Sequence, residues 1–298
     1  MTLYRPYPAH VPPDPARKQT LTFRSPADGS WQKVDVHSPS QPTGEPLPLV
    51  IALHGATWTA EQDYHWGPPD LKVGYHRGWY GLAERYGVII AQPHGHHRRE
   101  ECMSFASPEQ IADIASLPQM LTSAGYAVDG RRVYACGLSM GGEEALVAAG
   151  RHPELFAAVV AFNPVIDLAA LQQDMVEVDA RRGTDAAPRI ANEVGGLPDA
   201  VPEAYAERSP LSYVRGLAEV PTMIFWSDID FIVPRQVTHH TYRLYQLVKA
   251  ISPVSPMCEY NHTRSHGLRD FDQDVCWQLH EWSDYELALN WLLIHRRP

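Results

Sequence analysis

Short runs of apolar residues recur along the chain, and stretches with a helical pattern lie between them. The runs lack the alternation of a half-exposed strand, which is typical of a parallel sheet covered on both faces. They are Leu49–Leu53, Val88–Ala91, Val133–Cys136, Ala158–Phe162 and Thr222–Trp226. The helical stretches are Trp79–Tyr86, Pro108–Ala124, Gly142–Arg151 and Gln236–Ala250. Strands that alternate with helices predict an α/β fold with a mainly parallel sheet.

The two ends of the chain depart from this pattern. Leu21–Phe23 and Trp31–Val36 alternate apolar with polar residues around a turn at Asp28-Gly29, which predicts an antiparallel hairpin. Near the other end, Ser283 and Glu286 have the spacing of a capping box before a helical stripe. This spacing predicts a closing helix packed on the sheet.

We expect one domain over residues 1–298, because single α/β sheets with inserted loops reach this length. A proline-rich lead covers residues 1–20. Two stretches are too long for simple connections: residues 56–78, rich in aromatic residues and glycine, and residues 170–209, which are charged, broken by prolines and predicted to be weakly helical. Long insertions are usually lids or binding loops, so we interpret residues 170–209, the insertion, as a lid or cap.

Composition narrows the classes of function. Hydrophobic residues make up 44% of the chain and charged residues 20%, as in ordinary globular domains. The formal net charge of -10, with dispersed Lys and Arg, argues against nucleic acid or an anionic membrane as a partner. We therefore expect a small neutral substrate. The sequence lacks the pattern of a secretory signal or of a membrane span, so we expect the protein to be located in the cytoplasm. The sequence pattern does not indicate an oligomeric state.

Neither a metal nor a cofactor is expected. The cysteines are widely spaced and form no C-x-x-C pair; they are Cys102, Cys136, Cys258 and Cys276. Free thiols are the ordinary interpretation, and a bridge between Cys258 and Cys276 stays open. His94 and His96 would share one side of an extended segment, but no further ligand joins them on a common element. We interpret them as part of a polar loop.

The strongest chemical signal is Gly137-Leu138-Ser139-Met140-Gly141. This G-x-S-x-G follows an apolar run and opens a predicted helix at Gly142, which is the strand-turn-helix setting that a nucleophile elbow requires. The turn is so tight that a Cβ on its flanking glycines would collide with neighbouring strands. The serine hydroxyl then lies at the positive end of a helix dipole. We predict that Ser139 is a nucleophile.

A serine nucleophile needs a carboxylate to hold the tautomer of an imidazole, and in the fold that carries this elbow the acid follows the serine along the chain. Asp228 and Asp230 follow the run Thr222–Trp226, at the sheet edge where open α/β sheets keep their sites. Asp230 is preferred because it lies deeper in the loop leading to Val233-Pro234, whereas Asp228 could cap the turn or face solvent.

The imidazole that takes the serine proton must follow the acid. His262 and His266 both come after a predicted last strand at Pro256–Tyr260. His266 is preferred because the glycine after it suits a loop that returns over the sheet, and His262 is the second candidate.

Backbone N–H groups complete the predicted site. The run Leu49–Leu53 leads into His54-Gly55-Ala56, and in hydrolases with this elbow one oxyanion donor follows that strand while the other follows the nucleophile. These donors are Ala56 and Met140, each worth about 3 kcal/mol in the transition state. We interpret His54, which precedes the serine, as organising the loop.

Aromatic residues near these elements are candidates for the substrate pocket. Trp58 and Trp66 follow the oxyanion loop and are predicted to form part of the wall of the substrate pocket. Trp226 and Phe231 flank the acid, where they either line the cleft or fill the core.

These stretches resemble the α/β-hydrolase superfamily and, within it, the catalytic domain of prolyl-oligopeptidase-type enzymes and their esterase relatives. The resemblance spans the chain from about Leu49 onward and rests on Gly137–Gly142, Ser209–Leu211, Val220-Pro221, Asp230–Pro234 and His266. In that family the acid lies four residues before the proline of a Val-Pro pair, which implies Asp230. Two positions where the family has glycine carry Ser227 and Ser265 here.

The predicted function is a serine hydrolase that cleaves carboxylic esters of a small or medium-sized neutral substrate through an acyl-enzyme. The family's peptidases carry a propeller ahead of the catalytic domain, whereas only about fifty residues precede Leu49 here, which favours an esterase. Hydrolysis of short peptides or amides is the alternative. A binding protein without catalytic activity on the same fold is the alternative of another class.

Overall fold

A computed structural model describes residues 17–41, 44–56, 79, 81–96, 103–230, 232–262 and 284–298. Strands in these ranges form one sheet. They are β1 Arg17–Arg24, β2 Trp31–Ser38, β3 Leu47–Leu53, β4 Ile89–Pro93, β5 Val128–Leu138, β6 Ala158–Phe162, β7 Thr222–Trp226 and β8 Met257–Asn261. Their spatial order is β1-β2-β4-β3-β5-β6-β7-β8. The pairs from β4 to β8 are parallel, and β2 is antiparallel to both β1 and β4. The α/β prediction and the hairpin are confirmed.

Helices of the described residues surround this sheet. They are α1 Leu82–Tyr86, α2 Pro108–Ser123, α3 Met140–Arg151, α4 Leu168–Arg182, α5 Ala186–Val194, α6 Pro202–Arg208, α7 Val214–Leu217, α8 Thr241–Ile251 and α9 Tyr285–Leu292, with a 3-10 turn at Pro210–Tyr213. None of these helices has the length and apolar character needed to cross a membrane.

Two helices begin later than the apolar pattern predicts. The helix α1 starts at Leu82 because Gly81 has a left-handed backbone, with φ of 75°. The helix α8 starts at Thr241 because Gln236 bonds the Thr241 N–H through its side chain, at 3.3 Å, and residues 236–240 form turns. At the closing helix α9 the cap is Asp284, which accepts a bond from the Leu287 N–H at 2.9 Å, so the capping-box prediction placed the cap one residue too early.

The insertion is more helical than predicted, since it holds most of α4 and all of α5 and α6. Asp167 caps α4 by accepting a bond from the Ala170 N–H at 3.0 Å. Gly183 then ends α4 in a left-handed conformation with φ of 69°, as glycine commonly does at a helix terminus. Local capping signals therefore outweigh the charged, proline-containing composition.

The central strands β3 to β6 are buried on both faces of the sheet. On β3, Leu49 and Ile51 pack in a cluster with residues of α2, α3 and α8, whereas Val50 and Ala52 belong to a second cluster with residues of α1 and α9. This two-sided burial explains the unbroken apolar runs in the sequence. A third apolar cluster joins the start of α3 to the insertion.

Register aligns the carboxyl ends of the central strands. Leu53 pairs with Gly137, Leu138 with Phe162, and Phe162 with Phe225. The residues that follow β3, β5, β6 and β7 therefore meet at one edge of the sheet, where open α/β sheets bind their ligands.

Candidate active site

Ser139 lies between β5 and α3 in a backbone conformation that a side chain rarely adopts, with φ of 55° and ψ of -119°. Its N–H donates to the Phe162 carbonyl at 2.9 Å, and its own carbonyl accepts from the Glu143 N–H at 3.0 Å. These bonds hold the turn from both sides. A strained, partly exposed serine at a helix N-terminus is the arrangement of a nucleophile elbow.

Close backbone approaches explain the glycines of the elbow. A Cβ on Gly137 would lie 2.1 Å from the Gly141 carbonyl oxygen, and one on Gly141 would lie 2.3 Å from the Leu53 carbonyl oxygen. A Cβ on Gly142 would lie 2.9 Å from Cβ of Pro164. The elbow thus packs directly on the ends of β3 and β6, with no room for larger residues.

The proposed oxyanion donors flank this contact. Met140 is the first residue of α3 and is buried, while Ala56 ends the described part of the loop after β3. His54 is also buried; its Nδ1 lies 2.6 Å from the Gly55 carbonyl oxygen and its Nε2 lies 3.3 Å from the His94 carbonyl oxygen. These contacts tie the loop to the end of β4, which agrees with a structural role for His54.

The two candidate acids differ in their surroundings. Asp230 is 5% exposed, and its Oδ1 accepts bonds from the N–H groups of Ile232 at 2.8 Å and Val233 at 3.1 Å. Asp228 is exposed. Two backbone donors on one oxygen fix the orientation of the Asp230 carboxylate, as a triad acid requires.

His266 lies outside the described residues. His262 follows β8 and is completely buried, with its Nε2 3.3 Å from Oδ1 of Asn163. Asn163 follows β6 in a left-handed conformation with φ of 42°. This contact links the ends of β6 and β8, and the preference for His266 over His262 stays a prediction.

Of the predicted pocket residues, Trp58, Trp66 and Phe231 lie outside the described residues. Trp226 is 1% exposed. Its ring lies 6.1 Å from that of Tyr242 on α8, and its Nε1 donates to Glu259 at 2.5 Å. These contacts favour the core interpretation of Trp226.

His94 and His96 contact carboxylates from other elements. Nδ1 of His96 lies 2.7 Å from Oδ2 of Asp113 on α2, and its Nε2 lies 3.4 Å from Oδ2 of Asp28 in the hairpin turn. Nε2 of His94 lies 3.5 Å from Oδ1 of Asp35 on β2. These pairs connect the loop after β4 to the hairpin and to α2. Sequence spacing misses them because the partners are distant along the chain. Within the described ranges, no cluster of three or more metal-ligating side chains occurs.

Two glutamates in the first turn of α3, Glu143 and Glu144, are buried. The helix dipole favours acidic residues in a first turn, but it does not require their burial. Glu144 accepts bonds from the Ser104 hydroxyl and from Nε2 of Gln110, the latter at 3.1 Å. Glu143 has no exposed surface and no hydrogen-bond partner for either carboxylate oxygen within the described part of the chain. Burial raises the pKa of the Glu143 carboxyl well above its usual range, and Glu144 raises it further.

Comparison with known families assigns the chain to a family independently of this geometry. The sequence profile of the prolyl oligopeptidase family matches residues 86–287, which is more than half of the chain. The chain belongs to the prolyl oligopeptidase family. The resemblance inferred from the motifs is therefore confirmed at the level of the family.

Two curated relatives of the chain are named as depolymerases. Poly(3-hydroxybutyrate) depolymerase of Ralstonia pickettii is 31% identical over 130 residues, which cover 41% of this chain and 26% of the relative. This chain spans about a quarter of the length of the curated relatives that it matches.

Solved structures establish the α/β-hydrolase fold. Acylaminoacyl peptidase of Pyrococcus horikoshii has a TM-score of 0.62 at 16% identity, over 83% of this chain and 36% of that chain. An S-formylglutathione hydrolase from Agrobacterium tumefaciens has a TM-score of 0.59 at 17% identity, over 95% of this chain and 96% of that chain.

Proposed function

We propose that this enzyme hydrolyses carboxylic esters of small or medium-sized neutral substrates, with Ser139 as nucleophile, His266 as base and Asp230 as the acid that orients it. The observation that carries the proposal is the backbone of Ser139, whose φ of 55° presents its hydroxyl at the N-terminus of α3. Strain of this kind persists where function requires it. The orientation of the Asp230 carboxylate by two N–H groups supports its role.

In the first step Oγ of Ser139 attacks the ester carbonyl carbon while the His266 imidazole takes its proton. The carbonyl oxygen becomes an oxyanion that accepts bonds from the N–H groups of Ala56 and Met140. The C–O bond to the alcohol then breaks, and the imidazolium donates its proton to the leaving alkoxide. Water, deprotonated by the same imidazole, then attacks the acyl carbon of the acyl-enzyme. The bond from this carbon to Oγ of Ser139 breaks, and the imidazolium returns the proton to Oγ, which releases the acid and restores Ser139.

Ester substrates are favoured over amides by the curated relatives. Poly(3-hydroxybutyrate), named as the substrate of the Ralstonia pickettii relative, is a polymer joined by ester bonds. The match to a second poly(3-hydroxyalkanoate) depolymerase, at 31% identity over 127 residues, supports the same class of bond. The family description favours short peptides and amides as the second candidate.

Ser139→Ala tests the proposal. With p-nitrophenyl butyrate and the matched p-nitroanilide as substrates, we expect wild-type enzyme to prefer the ester and Ser139→Ala to lose kcat by about 10⁴-fold or more. Ser212→Ala, an exposed serine remote from the elbow, is the matched control and keeps the wild-type rate. A fluorophosphonate probe should label wild type and Ser212→Ala but not Ser139→Ala.

An unchanged ester rate in Ser139→Ala would refute the role of this serine. Faster cleavage of the anilide than of the ester would favour the amidase candidate. Absence of labelling and turnover in folded wild-type protein would favour a binding protein on the same fold.

A further inference from the structure

A buried carboxylate of the insertion contacts the loop that follows the proposed catalytic acid. Asp174 on α4 is 7% exposed. Its Oδ1 lies 3.0 Å from Nη1 of Arg235, and its Oδ2 lies 3.0 Å from Nδ1 of His239. Both partners belong to residues 232–240, the acid loop, which joins Asp230 to α8. One side chain therefore holds this loop at two points.

The acid loop is strained at one of these points. Arg235 has φ of 58°, a left-handed conformation that disfavours every residue with a side chain. Such a conformation persists only when its surroundings hold it. The ion pair between Arg235 and Asp174 is one such restraint, because it fixes the guanidinium end of the strained residue against a buried group.

A displacement of Arg235 would also displace the Asp230 carboxylate, because the same loop supplies a backbone N–H group that binds this carboxylate. Val233, two residues earlier, donates its N–H to Oδ1 of Asp230 at 3.1 Å. Its side chain is buried in an apolar cluster with Leu171 and Met175 of α4. The helix α4 thus contacts the acid loop through Val233 on one side and through Asp174 on the other.

The opposite side of the acid loop is fixed to the segment that follows β6. Nε2 of Gln236 donates to the carbonyl oxygens of Val233 at 3.3 Å and Pro164 at 3.4 Å. Nδ1 of His240 accepts from the Ile166 N–H at 3.1 Å. The turn from Arg235 to His239 is held on its other side by residues of the insertion. Among the described contacts, Asp174 pairs with both Arg235 and His239, and Glu177 pairs with Arg235 at the surface.

We propose that Asp174 is a positioning residue for the catalytic acid: it holds Arg235 and His239 so that the acid loop keeps the Asp230 carboxylate aimed at the base. This proposal rests on the proposed function of Asp230. It gives α4, in the insertion predicted to be a lid or cap, a role in supporting the catalytic machinery.

Asp174→Ala and Asp174→Asn test this role against a matched control. Glu177 lies one turn along α4 and pairs with the same guanidinium, at 3.6 Å from Nη2 of Arg235, but its side chain is 56% exposed. We expect Asp174→Ala to lower kcat about 10- to 100-fold, the usual consequence of a displacement of about 1 Å at a catalytic group. KM should stay within about twofold, because the interaction concerns the transition state. Glu177→Ala should keep wild-type kcat.

Asp174→Asn keeps the shape of the side chain and one acceptor oxygen, so we expect its kcat to lie between wild type and Asp174→Ala. All rates are divided by the concentration of active sites titrated with a fluorophosphonate, which removes the effect of misfolded protein. If Asp174→Ala does not fold, the kcat of Asp174→Asn per titrated site tests the positioning role.

The outcomes separate the two proposals. Wild-type kcat per titrated site in Asp174→Ala and Asp174→Asn, with Ser139→Ala inactive, would overturn the positioning role alone. A loss confined to KM would overturn it too, since it would assign Asp174 to substrate binding. Full activity in Ser139→Ala would instead overturn the proposed function.

Discussion

Glu143 offers a sharp test of the energetics beneath the elbow. Replacement by Met removes an ionisable group that is fully buried and whose oxygens have no partner among the described residues. An unpartnered polar group of this kind costs about 1–3 kcal/mol of stability even when neutral. We therefore expect Glu143→Met to be more stable than wild type, although the change lies one turn from the nucleophile.

The size of the effect depends on pH, and its sign follows from the raised pKa. In the unfolded chain the Glu143 carboxyl ionises near pH 4.5, whereas the folded state keeps the proton to higher pH because burial disfavours the charge. Unfolding thus releases a proton, so this group weakens folding as pH rises above 4.5, by about 1.4 kcal/mol per pH unit up to the folded-state pKa. Below the unfolded pKa this penalty vanishes.

Urea unfolding followed by tryptophan fluorescence at pH 5, 6, 7 and 8 measures this dependence. The free energy of unfolding of Glu143→Met should exceed that of wild type by a margin that grows with pH. Glu203→Gln, at an exposed site, is the control and should follow wild type. Parallel curves for wild type and Glu143→Met across this range would refute the argument that Glu143 is buried in its neutral form.

Two further predictions concern the elbow and the acid. Gly141→Ala places a Cβ 2.3 Å from the Leu53 carbonyl oxygen, so it should lower the free energy of unfolding by about 1–3 kcal/mol. Gly130→Ala, whose Cβ would have nothing within 4 Å, is the control and should match wild type in thermal unfolding. Equal melting temperatures for the two variants would contradict the tight turn. Asp230→Asn should lower kcat about 10⁴-fold with the fold intact, while the exposed control Asp228→Asn keeps its rate. A larger loss in Asp228→Asn would reverse the assignment of the acid.

Much of the fold is visible in the sequence because buried parallel strands read as unbroken apolar runs. All five runs became strands, and the hairpin formed where its alternation predicted. The elbow is equally visible, since the glycines that its geometry demands are local in the sequence. These features depend on neighbours along the chain, which a pattern records.

Long-range contacts were harder to predict. The pairing of Asp174 with Arg235 and His239 joins residues about sixty positions apart, and no local pattern marks either partner. Trp226 was a candidate for the cleft because it flanks the acid, yet the alternation of β7 places it against α8. The helices of the insertion were underestimated because their caps, Asp167 and Gly183, outweigh an unfavourable composition.

The backbone of Ser139 has a consequence for how this chain evolves. Its φ and ψ of 55° and -119° fall in a region that only glycine occupies without cost. Selection for a stable fold alone would therefore favour glycine at this position. A serine held there works against stability, so its presence is the outcome that selection for a catalytic hydroxyl, as proposed above, would produce.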